Sequence, residues 1–273
     1  MDAQLQRRIQ RYGWDKAADV YERYWQGQLA PAQDRLLALA ALRPGERVVD
    51  VACGTGLVTV RAAEAVGPSG LVVGTDIAGQ MVARTQAAAD ARRLRHVRTA
   101  RLDAEDLRGL PEASFDAALC ALGLMYVPDP VGALTEMARL LTPGGRTVVA
   151  VWGRRERCGW APLFEIVDAR VRSEVCPLFF GLGAPGALEG ALHAAGHTNV
   201  ITERLNVTLT YSSGAEACGA AFLGGPVALA YARFDAATRT AVQAEYLAAL
   251  APFRTATGYA IPGEFVVARG ERS

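Results

Sequence analysis

Between residues 47 and 152 the chain repeats one pattern: a short run of β-branched and small apolar residues, a turn, then an amphipathic stretch of helical length. The runs are Arg47-Val-Val-Asp-Val-Ala, Leu71-Val-Val-Gly-Thr-Asp, His96-Val-Arg-Thr-Ala-Arg-Leu-Asp, Phe115-Asp-Ala-Ala-Leu-Cys and Arg146-Thr-Val-Val-Ala-Val-Trp. Strands that are apolar along their whole length are buried on both faces, and strands separated by helices pair in parallel because each crossover needs a helix to return the chain. Five such strands predict a doubly wound sheet, with helices near 57–66, 78–92 and 130–141. The breaker cluster Leu141-Thr-Pro-Gly-Gly is expected to form the turn from the last helix into its strand.

The flanking segments follow a different grammar. Residues 2–42 carry helical signals and five aromatics, Tyr12, Trp14, Tyr21, Tyr24 and Trp25, and predict two or three helices closed by Pro44-Gly45. After Trp152 the alternation stops. Residues 153–190 predict a cap over the carboxyl edge of the sheet, with Trp160, Phe164, Leu178, Phe179 and Phe180 as apolar content. Then follow a helix at about 187–195, a strand at about 199–210, a helical stretch at about 215–250 and a last strand from Glu264.

Of the 273 residues, 51% are apolar, enough for one core of domain size. Lys+Arg 29 against Asp+Glu 28 leaves no basic field that could displace counterions from a phosphate backbone, which argues against a nucleic acid partner. Lys16 is the only lysine. The five cysteines are widely spaced with no C-x-x-C pair, so neither a disulfide framework nor a metal site is expected. No apolar run approaches the roughly 20 residues of a membrane span, and no export signal is read at the N-terminus. A cytoplasmic protein with reduced thiols is expected.

The segment with chemical content is Val48-Val-Asp-Val-Ala-Cys-Gly-Thr-Gly-Leu-Val-Thr, a strand, a glycine turn and the start of a helix. Gly54 and Gly56 allow a tight turn and a close backbone approach to a ligand. A dinucleotide would use a third glycine where this chain has Thr59, and the charge of Asp50 beside the loop would repel a pyrophosphate while attracting an ammonium or sulfonium. Asp76 ends the second strand, where an acid reaches the hydroxyls of a bound ribose. Asp103 is placed to accept an adenine amine, with Ala104 presenting its N–H to the ring; capping of the next turn by Asp103 and Asp106 is the alternative.

These segments together resemble the class I S-adenosylmethionine-dependent methyltransferases, over roughly residues 44–152. Asp50-Val-Ala-Cys-Gly-Thr-Gly is similar to their first motif, Asp76 to their ribose-binding acid and Asp103-Ala104 to their adenine-binding pair. Phe115 through Pro130 and Glu136-Met-Ala-Arg-Leu-Leu-Thr-Pro-Gly-Gly-Arg resemble their fourth-strand segment and the helix and turn after it. The nearest branch includes the ubiquinone and menaquinone C-methyltransferases and related small-molecule enzymes. Those quinone enzymes have an Arg-Asn pair where this chain has Met125-Tyr126, which leaves the acceptor open.

The resemblance implies an α/β, Rossmann-like, doubly wound and mostly parallel seven-stranded sheet with an N-terminal helical segment and an inserted cap. Residues 1–43 would form a helical lid, 44–152 the S-adenosylmethionine-binding core, 153–190 the cap and 191–273 the rest of the sheet with a helical insertion. Cofactor contacts are expected from Asp50, Ala52, Cys53, Gly54, Gly56, Asp76, Ile77, Met81, Asp103, Ala104, Glu105 and Cys120. The expected partner is a small-molecule acceptor, methylated at O, N or C, and S-adenosyl-L-homocysteine is the expected product. The apolar cap, with Phe222, suits a lipophilic or aromatic acceptor, contacted by Tyr24, Trp25, Met125, Trp152, Phe179 and Phe180.

Methyl transfer from a sulfonium is a direct displacement, so holding the acceptor in line is the main task and a base is optional. His96, His193 and His197, with Tyr21, are the candidates if one is used; His96 begins a strand, and His193 and His197 flank an expected helix end at Gly196. No Asn-Pro-Pro-Tyr or Asp-Pro-Pro-Tyr segment and no Pro-Cys dipeptide occurs, which argues against nucleobase methylation. A nicotinamide-dependent oxidoreductase and a non-catalytic S-adenosylmethionine-binding protein are the competing readings. A homodimer through the N-terminal helices or the cap is compatible with the pattern but not required by it.

Overall fold

The computed structural model describes residues 2–172 and 176–273; residues 173–175 of the expected cap lie outside them. Its centre is an eight-stranded sheet: β1 (Arg47–Val51), β2 (Leu71–Asp76), β3 (Val97–Arg101), β4 (Phe115–Ala121), β5 (Leu141–Trp152), β6 (His197–Tyr211), β7 (Arg254–Thr255) and β8 (Gly258–Arg272). Seven strands run in the order β3-β2-β1-β4-β5-β8-β6, and the two-residue β7 pairs with β8 off this path. The first five pair in parallel, and β8 runs antiparallel to both β5 and β6. The chain order reverses between β1 and β4, so the carboxyl ends of these two strands border the crevice where ligands of such sheets bind.

The helices are α1 (Ala3–Ala17), α2 (Tyr21–Ala40), α3 (Leu57–Val66), α4 (Gly79–Ala91), α5 (Pro130–Leu140), α6 (Pro162–Asp168), α7 (Ala187–Ala194), α8 (Gly214–Phe222), α9 (Ala228–Arg233) and α10 (Ala236–Ala249). Three of the long helices start at an aspartate cap. Asp2 caps α1 by accepting from the N–H groups of Gln4 and Leu5, and Asp129 caps α5 at Gly132 with Pro130 in the first turn. Asp235 caps α10 at Thr238. The small and β-branched strand residues Val48, Val49, Val72, Ala117, Ala118, Leu119, Val148 and Val149 are fully buried between the helical layers.

Three expectations on elements need correction. The Leu141-Thr-Pro-Gly-Gly cluster is already strand: Leu141 pairs with Phe115, and a bulge then shifts the register before Arg146 pairs with Ala117. The last strand begins at Gly258 rather than Glu264 and forms a long antiparallel ladder with β6, reaching from Tyr211↔Tyr259 to His197↔Arg272. The helical stretch at 215–250 is three helices, α8, α9 and α10, interrupted by Gly224-Gly225-Pro226 and by the Asp235 cap.

The N-terminal segment divides in two. α2 packs on β4, β5 and β8 as one of the helices of the layer, with Leu29, Ala32, Leu36 and Ala40 buried. α1 stands apart from the sheet and packs on α4 and α9, so it crosses the carboxyl ends of the strands. The cover over those ends therefore draws on α1, α6, α8 and α9, from three separate stretches of chain.

Candidate functional site

Everything in the site begins at the carboxyl ends of β1, β2 and β4. β1 is followed by Ala52 at φ 57° and β4 by Leu122 at φ 62°, left-handed conformations that an alanine and a leucine adopt only under constraint. The constraint is mutual packing: a Cβ on Gly123 would lie 2.3 Å from the Cβ of Ala52, so the two strand ends meet only because residue 123 is glycine. Between them the chain turns through Gly54 (φ 58°) and Gly56 (φ 95°) into α3. A Cβ on Gly56 would lie 3.1 Å from the Thr85 Cα, which holds the loop down on α4.

The loop is fixed by three side chains. Asp76 accepts the Gly54 N–H at 3.0 Å on one carboxylate oxygen and the Ala78 N–H at 2.9 Å on the other. Thr85 donates to the Gly54 carbonyl at 2.8 Å, and Thr59 donates to Asp50 Oδ2 at 2.6 Å. Thr59 thus fills the position of the third dinucleotide glycine with a hydroxyl that anchors the acid behind the loop. Asp50 Oδ1 is buried and has no partner. Burial pushes the Asp50 carboxyl up to about 7 and the Asp76 carboxyl up to about 6. Two buried carboxyls at the loop would each be ionised more readily beside a positively charged ligand.

In front of this loop lies an open cleft. Of the residues expected to touch a cofactor, Ala52, Gly54, Asp76, Ile77, Met81, Asp103 and Ala104 line it, and Tyr21 joins them. Asp50, Cys53, Gly56, Glu105 and Cys120 do not. Asp50 and Cys53 are buried behind the loop, where the Cys53 thiol lies 3.4 Å from the Thr85 hydroxyl. Cys120 is buried in β4. Glu105 turns away to accept from Arg7 at 2.5 Å and from the Asp129 N–H at 2.8 Å. Asp103 accepts the Glu105 N–H at 3.0 Å and has Arg7 at 3.3 Å from its other oxygen. It caps its turn and lines the cleft at once.

The sequence reading missed the wall that faces the loop. Arg7, Gln10 and Trp14 of α1 line the cleft, with Leu122, Gly123 and Tyr126 after β4. Trp14 meets Tyr21 and Tyr126 edge-on, at 5.8 and 5.1 Å between ring centroids. The aromatic density of the first 25 residues was the available signal, but nothing local tells which helix doubles back over the sheet.

A second, smaller pocket lies behind the cleft and shares Trp14, Tyr21, Leu122 and Tyr126 with it. Trp25, Met125, Trp152, Trp160, Leu163 and Phe179 line it, with Gly225 and Pro226 of the turn after α8. Trp152 and Trp160 lie 4.8 Å apart between centroids, and Trp160 meets Phe179 at 5.5 Å. Five residues expected inside this apolar wall, Phe164 and Phe180 among them, are elsewhere. Leu178 is exposed, Phe222 is buried against Tyr231 and Tyr246, and Tyr24 packs on Gly219. Phe180 stands one ring behind, 5.7 Å from Trp160.

The histidines serve the framework. His197 is buried, with Nε2 2.8 Å from the Thr147 hydroxyl, and burial lowers its pKa. His193 faces the His197 carbonyl at 3.2 Å, and His96 faces the Ala63 carbonyl at 2.8 Å. None of the three lines either pocket. They are corrected from candidate bases to structural residues, because each ring nitrogen that packs inward is already committed to the fold.

Comparison with known proteins agrees with this geometry. A family profile described as a methyltransferase domain matches residues 48–145. The chain is 36% identical over 203 residues to nocamycin O-methyltransferase of Saccharothrix syringae, covering 68% of this chain and 71% of that one. It is 37% identical over 133 residues to aklanonic acid methyltransferase DauC of Streptomyces sp. (strain C5), covering 49% of this chain and 60% of that one. An N-methyltransferase of Haemonchus contortus, solved with S-adenosylhomocysteine, shares the fold at a TM-score of 0.61 and 15% identity, over 95% of this chain and 58% of that one. A strand-end glycine loop, an acid at the end of β2 and this similarity in sequence have one common explanation: the chain belongs to the S-adenosylmethionine-dependent methyltransferases.

Proposed function

We propose that the chain binds S-adenosylmethionine in the cleft beside Gly54 and methylates an apolar, aromatic small molecule seated in the tryptophan-lined pocket behind it. The observation that supports this reading is that the two cavities adjoin, with Trp14, Tyr21, Leu122 and Tyr126 lining both. One cavity is floored by a carboxylate and the other is walled by rings, so a charged donor and an apolar acceptor would meet at their junction.

The cofactor supplies an electrophilic methyl group on a sulfonium; the protein's residues do the holding. Asp76 keeps lone pairs free beyond its two backbone donors and would accept from the ribose hydroxyls. Asp103 and the Ala104 N–H would read the adenine, and Asp50 supplies negative potential behind the loop. Tyr21, Trp14 and Tyr126 would exclude water from the junction and face the positive sulfur with their rings. In this reading residues 44–152 hold the cofactor, and α1 with residues 153–190 covers it. A cytoplasmic setting is supported by five thiols without disulfide partners among the described residues. No helix of the described residues is long and apolar enough to cross a membrane.

Calorimetric titration with S-adenosylhomocysteine tests the cofactor site. Micromolar binding is expected, and Asp76→Ala should weaken it about tenfold or more, as loss of a charge-assisted hydrogen bond of about 1.5–3 kcal/mol requires. Equal affinity of the variant and the parent protein would remove Asp76 from the site.

A further inference from the structure

One side of α1 carries charge that the cofactor site does not use. Gln4, Arg7, Arg8 and Arg11 are spaced at i, i+3, i+4 and i+7, which brings them onto the same side of the helix. These four residues line a surface depression together with Arg101, the last residue of β3, and Asp103. Four guanidinium groups from two elements thus meet one lining carboxylate, in a chain whose 29 basic and 28 acidic residues nearly cancel.

Only one of the four is answered by acids. Arg7 meets Glu105 at 2.5 Å and Asp103 at 3.3 Å, both through Nε. Arg101 donates its Nε to the Ile77 carbonyl at 3.1 Å, and the Arg11 guanidinium lies 5.3 Å from the centre of the Tyr12 ring. Among the described residues Arg8, Arg11 and Arg101 form no ion pair. Positive charges one turn apart on a helix repel, so this cluster favours an anion in its midst. With Nε committed in Arg7 and Arg101, the terminal nitrogens of both remain as donors, in the planar arrangement that matches the oxygens of a phosphate.

We propose that this depression binds a small phosphate-bearing ligand, with Arg7, Arg8 and Arg11 on one side of it and Arg101 on the other. The double charge of a phosphate monoester or diphosphate suits four guanidinium groups better than a single carboxylate does. The depression shares Arg7, Ile77, Leu102 and Asp103 with the cofactor cleft and no residue with the tryptophan-lined pocket, so the ligand is not the acceptor. Its phosphate ties α1 to the end of β3. Because α1 packs on α4 and α9, such a tie holds the helix across the strand ends and over the cleft. Occupation of the depression and of the cleft then favour each other. That coupling rests on the cofactor reading given above, whereas the anion site itself does not.

Inorganic diphosphate is the probe, titrated calorimetrically into the cofactor-free protein at low ionic strength, with methanesulfonate as the singly charged control. Diphosphate should bind saturably and at least about tenfold more tightly than methanesulfonate. Arg8→Gln and Arg101→Gln change exposed positions outside the cofactor cleft. Each should weaken diphosphate about three- to fivefold, and the double variant about tenfold or more. Arg95→Gln, exposed before the opposite end of β3, should change it by less than about twofold. Saturating diphosphate should tighten S-adenosylhomocysteine binding about threefold or more in the parent protein and leave it unchanged in the double variant. Diphosphate binding that does not saturate, that methanesulfonate matches, or that is equal in the Arg95 and Arg101 variants overturns the site. Saturable binding without effect on S-adenosylhomocysteine affinity overturns the tie between α1 and β3. If diphosphate binds as expected and S-adenosylhomocysteine does not bind at all, the cofactor reading fails and the anion site stands.

Discussion

Gly123 illustrates how a single residue sets the site. Its missing Cβ lets the end of β4 meet Ala52 at the end of β1, and those two positions carry the left-handed backbone that shapes the cleft. Gly123→Ala is expected to cost about 1–3 kcal/mol in urea denaturation, because a Cβ at 2.3 Å must displace backbone on one side. S-adenosylhomocysteine affinity should fall with it. The acids behave differently. Asp50 and Asp76 are held up to about 7 and about 6 by burial, so they bind protons in the ligand-free protein that the unfolded chain would release. Affinity for the cationic cofactor should therefore rise with pH from about 5.5 to 8, as both acids ionise. Calorimetry across that range checks it, and a flat profile would count against these acids as the cation's partners.

At the scale of elements, the carboxyl edge is held open by an acid far from the loop. Glu264 of β8 is buried and accepts from Arg204 of β6 at 2.8 Å and from the Arg154 N–H at 3.0 Å. Arg204 also donates to the Gly183 carbonyl at 2.9 Å. This cluster ties the end of β5, where Trp152 enters the rear pocket, to the long β6–β8 ladder. Glu264→Ala leaves a half-buried guanidinium without its acid and is expected to destabilise the fold by about 2–3 kcal/mol, read from thermal or urea unfolding. The elements of residues 47–140 were legible because each strand and helix carries its own pattern. The first half of β8 and its hairpin were not. Pro262 and Gly263 break the strand pattern locally, and only pairing along β6 holds that stretch extended.

The whole molecule responds to its ligand through the same charges. Because the folded-state values of Asp50 and Asp76 lie above those of the unfolded chain, their contribution to stability is best below about pH 4 and declines as pH rises through 6 to 7. S-adenosylmethionine, with its positive sulfonium and ammonium, reverses that penalty. At a hundredfold excess over its dissociation constant it should stabilise by about 2.7 kcal/mol and raise the melting temperature by roughly 5 °C. At a fixed concentration the rise should be larger at pH 8 than at pH 5.5, measured by differential scanning calorimetry. A larger rise at the lower pH would contradict the sign argued here.

By itself the sequence determined the parallel core, the glycine turn and the acid at the end of β2, because each depends on interactions within one strand–turn–helix unit. It could not determine which residues oppose them. Trp14, Arg7 and Tyr126 reach the cleft because α1 crosses the strand ends, and Asp50 retreats behind the loop because Thr59 holds it there. Phe222 and Phe179 are alike in the sequence, yet one packs among α9 and α10 while the other walls the pocket. Such choices rest on contacts between segments far apart in the chain. They have no local signature, since an apolar ring is buried with equal gain wherever the assembled fold leaves room for it.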